Sequence, residues 1–139
     1  MAFAKHLANR TGIEQAFVAL DGDLGAGKTT LVRNLLQALG VEGRIKSPTY
    51  TIMETYALAH SPLQVAHFDF YRFNDPMEWE DAGFRDVFAA TGLKLVEWPE
   101  KALGLLPQPD LLVRIASQDD TSREVTLKAF TPLGLALLP

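Results

Sequence analysis

Gly22-Asp23-Leu24-Gly25-Ala26-Gly27-Lys28-Thr29 decides how the rest of the chain is read. These eight residues fit the pattern G-x-x-x-x-G-K-[ST], the phosphate-binding P-loop. The glycines let the backbone turn where a side chain would clash, and they leave N–H groups aimed inward at a common centre. Lys28 can reach the β- and γ-phosphates of a nucleotide, and the hydroxyl of Thr29 can ligate Mg²⁺. A helix that begins here turns its positive end toward the same anion.

Working outward, Ala16-Phe17-Val18-Ala19-Leu20 reads as the buried strand that delivers the loop. Residues 28–39 read as the helix that follows it. Leu31, Leu35 and Leu39 form one row and Val32 and Leu36 the next, and Gly40 suits the C-cap. Strand, loop and helix in this order predict an α/β fold: a P-loop NTPase-like three-layer sandwich, with a mixed sheet flanked by helices.

The 139 residues suit one domain, 1–139, with a real core, and 47% hydrophobic against 22% charged residues is ordinary for a soluble globular chain. No apolar run approaches the ~20 residues of a membrane span, and the N-terminus has no secretory pattern, so a cytoplasmic protein without a membrane partner is expected. The absence of cysteine excludes disulfides, Cys-ligated zinc and a thiol nucleophile. With 13 Lys+Arg against 17 Asp+Glu, the net charge of −4 argues against tight nucleic-acid binding by this chain alone, although Arg33, Arg44, Lys46 and Arg72 can form a local patch.

Residues 2–10 read as a short helix ended by Thr11-Gly12. Residues 43–50 form a polar loop directly after the P-loop helix. In switch-type nucleotide hydrolases such a segment brings a hydroxyl to Mg²⁺ and the γ-phosphate, and Ser47, Thr49 and Thr51 are the candidates here. Residues 50–56 and 64–71 read as two strands with a turn near His60-Ser61-Pro62. Alternation sets His67, Asp69 and Tyr71 on one face and Phe68 and Phe70 on the other. Residues 76–90 read as one helix with Asp75 as N-cap and Gly83 as a weak point, and Trp79 as core or partner surface. Residues 111–117 and 123–130 form a hairpin, and Leu133 to Leu138 is expected to be a last strand.

Two carboxylates stand at strand ends. Asp69 closes the run from Gln64, and Glu97 follows Leu93-Lys94-Leu95-Val96 before Pro99 stops the strand. Near a P-loop, a strand-end carboxylate can order Mg²⁺ directly or through water, or orient the attacking water. Each can also be ordinary: Asp69 as the cap of the next turn, Glu97 as a surface residue, and His67 as a packed histidine. No N-K-x-D pattern follows, which favours ATP over GTP.

Four blocks in fixed order carry a resemblance: Gly22 to Thr30, Lys46-Ser47-Pro48-Thr49-Tyr50-Thr51, His67-Phe68-Asp69-Phe70-Tyr71-Arg72, and Val96-Glu97-Trp98-Pro99-Glu100. Over residues 16–115 the chain closely resembles the TsaE (YjeE) family of bacterial P-loop ATPases. The resemblance implies an ATP- and Mg²⁺-dependent ATPase of low intrinsic activity in the synthesis of N6-threonylcarbamoyladenosine at position 37 of tRNA. It implies a TsaB–TsaD heterodimer as partner, reset by hydrolysis, and tRNA met only through that complex. Carried onto this chain, Lys28 holds the phosphates, and Thr29 ligates Mg²⁺. Asp23, Leu24, Gly25, Ala26, Gly27 and Thr30 line the phosphates, and Thr49 lies in the switch-like loop. Asp69 orients or activates water and Glu97 serves the Mg²⁺ shell, with these two roles open to reversal. The family usually has a strand ahead of the first helix, and here the chain starts almost at that helix. A small-molecule or nucleoside kinase is the alternative, but the chain has no arginine-rich lid.

Overall fold

The computed structural model describes residues 2–23, 27–41, 52–58, 64–117 and 123–139. The 43–50 loop, the turns at 60–62 and 118–122, and Leu24, Gly25, Ala26, Ser47, Thr49 and Thr51 lie outside the described residues.

Six strands form one sheet: β1 (Phe17–Asp21), β2 (Met53–Ala57), β3 (Gln64–Asp69), β4 (Leu93–Glu97), β5 (Leu111–Ser117) and β6 (Arg123–Ala129). Their order is β2-β3-β4-β1-β5-β6. The inner four run parallel, whereas β2 and β6 pair antiparallel at the two edges. The sheet is therefore mixed, as expected. The inner strands β1 and β4 are near-continuous apolar runs because both of their faces are covered.

The helices make the outer layers. On one face, α1 (Ala2–Ala8), α2 (Lys28–Ala38) and α5 (Pro132–Leu137) bury Leu7, Leu31, Leu35, Leu36 and Leu137 against Val18, Leu20, Val65, Leu95 and Val113. On the other face, α3 (Pro76–Asp81) and α4 (Phe84–Ala89) supply Trp79 and Phe84, which pack with Phe68, Phe70 and Phe73. The ring of Phe84 stands edge-on to Phe68 at 5.2 Å. Burial of side chains this size drives the layer together at roughly 1.5–3 kcal/mol each.

Two expectations are corrected. The segment 76–90 is two helices rather than one. Asp75 caps the first as anticipated, its side chain accepting from Met77 N at 3.0 Å, but Gly83 takes φ +70° and is the N-cap of a second helix. The C-terminal apolar run is the helix α5, not a strand. Thr131 caps it by accepting from Gly134 N at 3.0 Å, Pro132 fits its first turn, and the edge beyond β5 is already occupied by β6.

α2 ends as its sequence predicts. Gly40 has φ +89°, its N–H reaches Gln37 O, and Val41 N reaches Leu36 O. This pair of bonds closes the last turn and sends Val41 back into the core.

Candidate functional site

The chain leaves the carboxyl end of β1 toward the face that carries α2, and leaves β4 toward the opposite face, where Ala102 packs. Neighbouring parallel strands whose connections part in this way leave a crevice outside their carboxyl ends. Register sets its floor: Leu20 lies beside Glu97, and Glu97 beside Asp69.

Gly27, with φ +107°, ends the loop and precedes the first residue of α2. An L side chain there would be strained, so the glycine is required by backbone conformation. Lys28 follows and is 4% exposed. Its ammonium donates to Gly22 O at 2.5 Å and lies 3.8 Å from the centre of the Trp98 ring. Among the described residues no carboxylate comes within ion-pair distance of it. A buried cation held by one carbonyl and one aromatic face is well placed to meet an anionic ligand.

Thr29 Oγ1 donates to Glu97 Oε1 at 3.4 Å. Glu97 is not a surface residue: it is 3% exposed, and its other oxygen lies 2.6 Å from His67 Nε2. Asp69 is half-buried, and its Oδ1 accepts from Tyr71 N at 3.0 Å. Burial pushes the Asp69 carboxyl above its ordinary range and nearby Glu97 adds to this, against the opposing pull of the Tyr71 N–H, His67 and Lys28. Asp69 therefore caps its turn and faces the crevice at once. Of the other loop positions, Asp23 and Thr30 are exposed.

Sequence reasoning assigned no role to two residues that the fold brings here. Trp98 has φ +56° and ψ +52°, alone among the described non-glycine residues in having positive φ. That costly conformation turns its ring over Lys28 and within 5.0 Å of the Tyr71 ring. A tryptophan wedged between a strand-end carboxylate and a proline is the signal that could have found it. His67 was legible only as a packed histidine, because its partner is 30 residues away in sequence.

The donor set fits Mg²⁺ in chemistry. It offers a hydroxyl and a carboxylate oxygen, both hard ligands, and among the described residues no cluster of three or more His, Asp or Glu could cage a metal alone. Mg²⁺ bound through one or two protein oxygens plus substrate phosphates needs no such cage. A separate cavity of about 400 Å³ lies on the opposite face, lined by Phe17, Ala19, Leu106 and Leu112 among others, and includes none of Lys28, Thr29, Asp69 or Glu97.

Residues 1–125 match the family model described as threonylcarbamoyl adenosine biosynthesis protein TsaE. The chain belongs to the TsaE family. It is 47% identical over 132 residues to the tRNA threonylcarbamoyladenosine biosynthesis protein TsaE of Haemophilus influenzae, covering 95% of this chain and 82% of that protein. With the TsaE of Bacillus subtilis it shares 40% over 117 residues, covering 84% and 70%. The crystal structure of Bacillus subtilis YdiB superposes with a TM-score of 0.78 at 32% identity, covering 98% of this chain and 82% of that one. The TsaE relatives are named for tRNA threonylcarbamoyladenosine biosynthesis, and the sheet is that of a P-loop fold. Among the described residues no helix is long and apolar enough to cross a membrane.

Proposed function

We propose that this chain, as one P-loop domain over residues 1–139, is the ATP-binding and ATP-hydrolysing subunit of the cytoplasmic machinery that makes tRNA N6-threonylcarbamoyladenosine. Its partner is a TsaB–TsaD heterodimer, which hydrolysis resets between cycles, and tRNA is met only through that complex. It is not itself the transferase. The observation that carries this reading is the pairing of Thr29, in the first turn of α2, with the buried strand-end carboxylate of Glu97.

In this reading the loop amides from Asp23 to Gly27 and the side chain of Thr30 line the phosphates, and Lys28 moves its charge from Gly22 O onto them. Thr29 and Glu97 hold Mg²⁺, which neutralises charge on the phosphate oxygens when bound. Asp69 orients or activates the attacking water, with Thr49 contributing from the switch-like loop. P-loop hydrolases often lack part of their transition-state stabilisation until a partner supplies it, so low turnover in isolation belongs to the proposal.

The test is ATP turnover by the purified chain, with and without TsaB–TsaD. Stimulation by the heterodimer is expected. No stimulation, together with phosphate transfer to a small acceptor, would instead mark a kinase.

A further inference from the structure

Glu97 is too deeply buried to rely on water, and an unpartnered carboxylate at that depth is expensive. His67, itself 1% exposed, supplies the close partner at 2.6 Å, beside the longer 3.4 Å contact from Thr29 Oγ1. The reach follows from the sheet. His67 pairs directly with Leu95, and Glu97 lies two residues further along β4 on the same face, so the imidazole crosses diagonally to it.

A carboxylate that serves a metal only accepts hydrogen bonds, so Nε2 must carry the proton. The opposite nitrogen agrees. His67 Nδ1 is buried with no hydrogen-bond partner among the described residues. With the proton on Nε2, Nδ1 is a bare acceptor. The other tautomer would bury an unpaired N–H and set a lone pair against Glu97 Oε2. The contact therefore selects one tautomer and pins one carboxylate oxygen, while the second, Oε1, faces Thr29 Oγ1.

We propose that His67 is a positioning residue that holds Glu97 by Oε2 so that Oε1 is presented beside Thr29 for Mg²⁺. This rests on the function proposed above. Outer-shell partners of metal ligands typically cost about 10–100-fold in metal affinity or activity when removed.

The experiment is calorimetric titration of ADP at a series of Mg²⁺ concentrations, for the wild type, His67→Leu and His67→Gln. His67→Leu should need about 10–100-fold more Mg²⁺ to reach half of the affinity gain, with metal-free ADP affinity unchanged. His67→Gln, whose amide can donate to the same oxygen, should recover most of the loss. A merely structural histidine would weaken binding equally with and without Mg²⁺. Nitrogen-15 imidazole spectra of the unmodified protein give an answer that does not depend on the Leu variant folding. They should show the Nε2–H tautomer, with that proton's resonance displaced when Mg²⁺ and ADP bind. The Nδ1–H tautomer, an unshifted Mg²⁺ midpoint in His67→Leu, or a Gln variant as impaired as Leu would each overturn the proposal. A wild type that gains no ADP affinity from Mg²⁺ would overturn the proposed function, while the tautomer still reports on the His67–Glu97 contact separately.

Discussion

Thr29 Oγ1 and Glu97 Oε1 face each other across 3.4 Å, joining the first turn of α2 to the last residue of β4. The spacing is longer than a well-formed O–H···O bond of about 2.7–2.8 Å. The two oxygens are thus neighbours that a small hard cation can draw together, not a pair whose bond holds the fold. Lys28 lies next in chain to Thr29, and its ammonium rests on Gly22 O and the Trp98 ring.

Lys28→Ala should remove the buried cation while sparing the hydrophobic rows of α2. Hydrolysis is expected to fall by at least about 10²–10³-fold, the usual cost of losing a preorganised charge at developing anionic oxygens. ATP binding should weaken as well, because the phosphates are held in the ground state too. Turnover and calorimetric affinity measured on one preparation check both. Unchanged ATP affinity would show that Lys28 stays on Trp98 and never meets the phosphates.

Asp69 makes a prediction about pH. Burial raises its folded carboxyl above the ordinary 3.8. Between 3.8 and the raised value the folded state holds more proton than the unfolded state, so stability is lost as pH rises through that window. Asp69→Asn abolishes this loss and can still accept from Tyr71 N. The variant should melt higher than the wild type at neutral pH, and the gap should close as pH falls below 3.8. Its turnover should drop on the order of 100-fold or more if the carboxylate activates water, with a smaller effect on nucleotide affinity. A variant less stable than the wild type at neutral pH would show that the charged form is favoured by the fold.

Gly134 tests how α5 is seated. A Cβ built there would sit 1.8 Å from Asp110 O, the backbone of the residue that also binds Phe17 N and Thr131 Oγ1 through its carboxylate. The helix cannot keep its place with alanine at this position. Gly134→Ala should cost on the order of 1–3 kcal/mol, read as a fall in melting temperature of roughly 3–12 °C. An unchanged melting temperature would mean that α5 contributes little to the cooperative unit.

Much of this architecture was legible because local chemistry and tertiary packing agree. The row Leu31–Leu35, the Gly40 cap and the apolar runs at β1 and β4 each point to one answer, and the structure has it. The C-terminal run misled because leucines at 133, 135, 137 and 138 mimic strand alternation. The decisive signal was Thr131-Pro132, a cap and a first-turn proline, and only the seat against β5 shows that a helix is wanted. The candidate site divides in the same way. Lys28 and Thr29 carry their meaning in a contiguous motif. Glu97 as a buried residue, His67 as its partner and Trp98 over Lys28 depend on strand order, which no local pattern contains. The sequence allows Asp69 as the cap of its turn or as a carboxylate serving the P-loop site, and its hydrogen bond from Tyr71 N establishes the first without displacing the second.

The central claim is that Glu97 and Thr29 form the Mg²⁺ end of a hydrolytic nucleotide site. Steady-state ATP hydrolysis by Glu97→Gln, run beside the wild type with TsaB–TsaD present and with ADP affinity measured in parallel, tests it most directly. The amide keeps the shape and still lets His67 pair with it, but it removes the negative charge. Turnover lower by on the order of 100-fold, with ADP affinity in the absence of metal unchanged, is the predicted result. Wild-type turnover in Glu97→Gln would contradict the account.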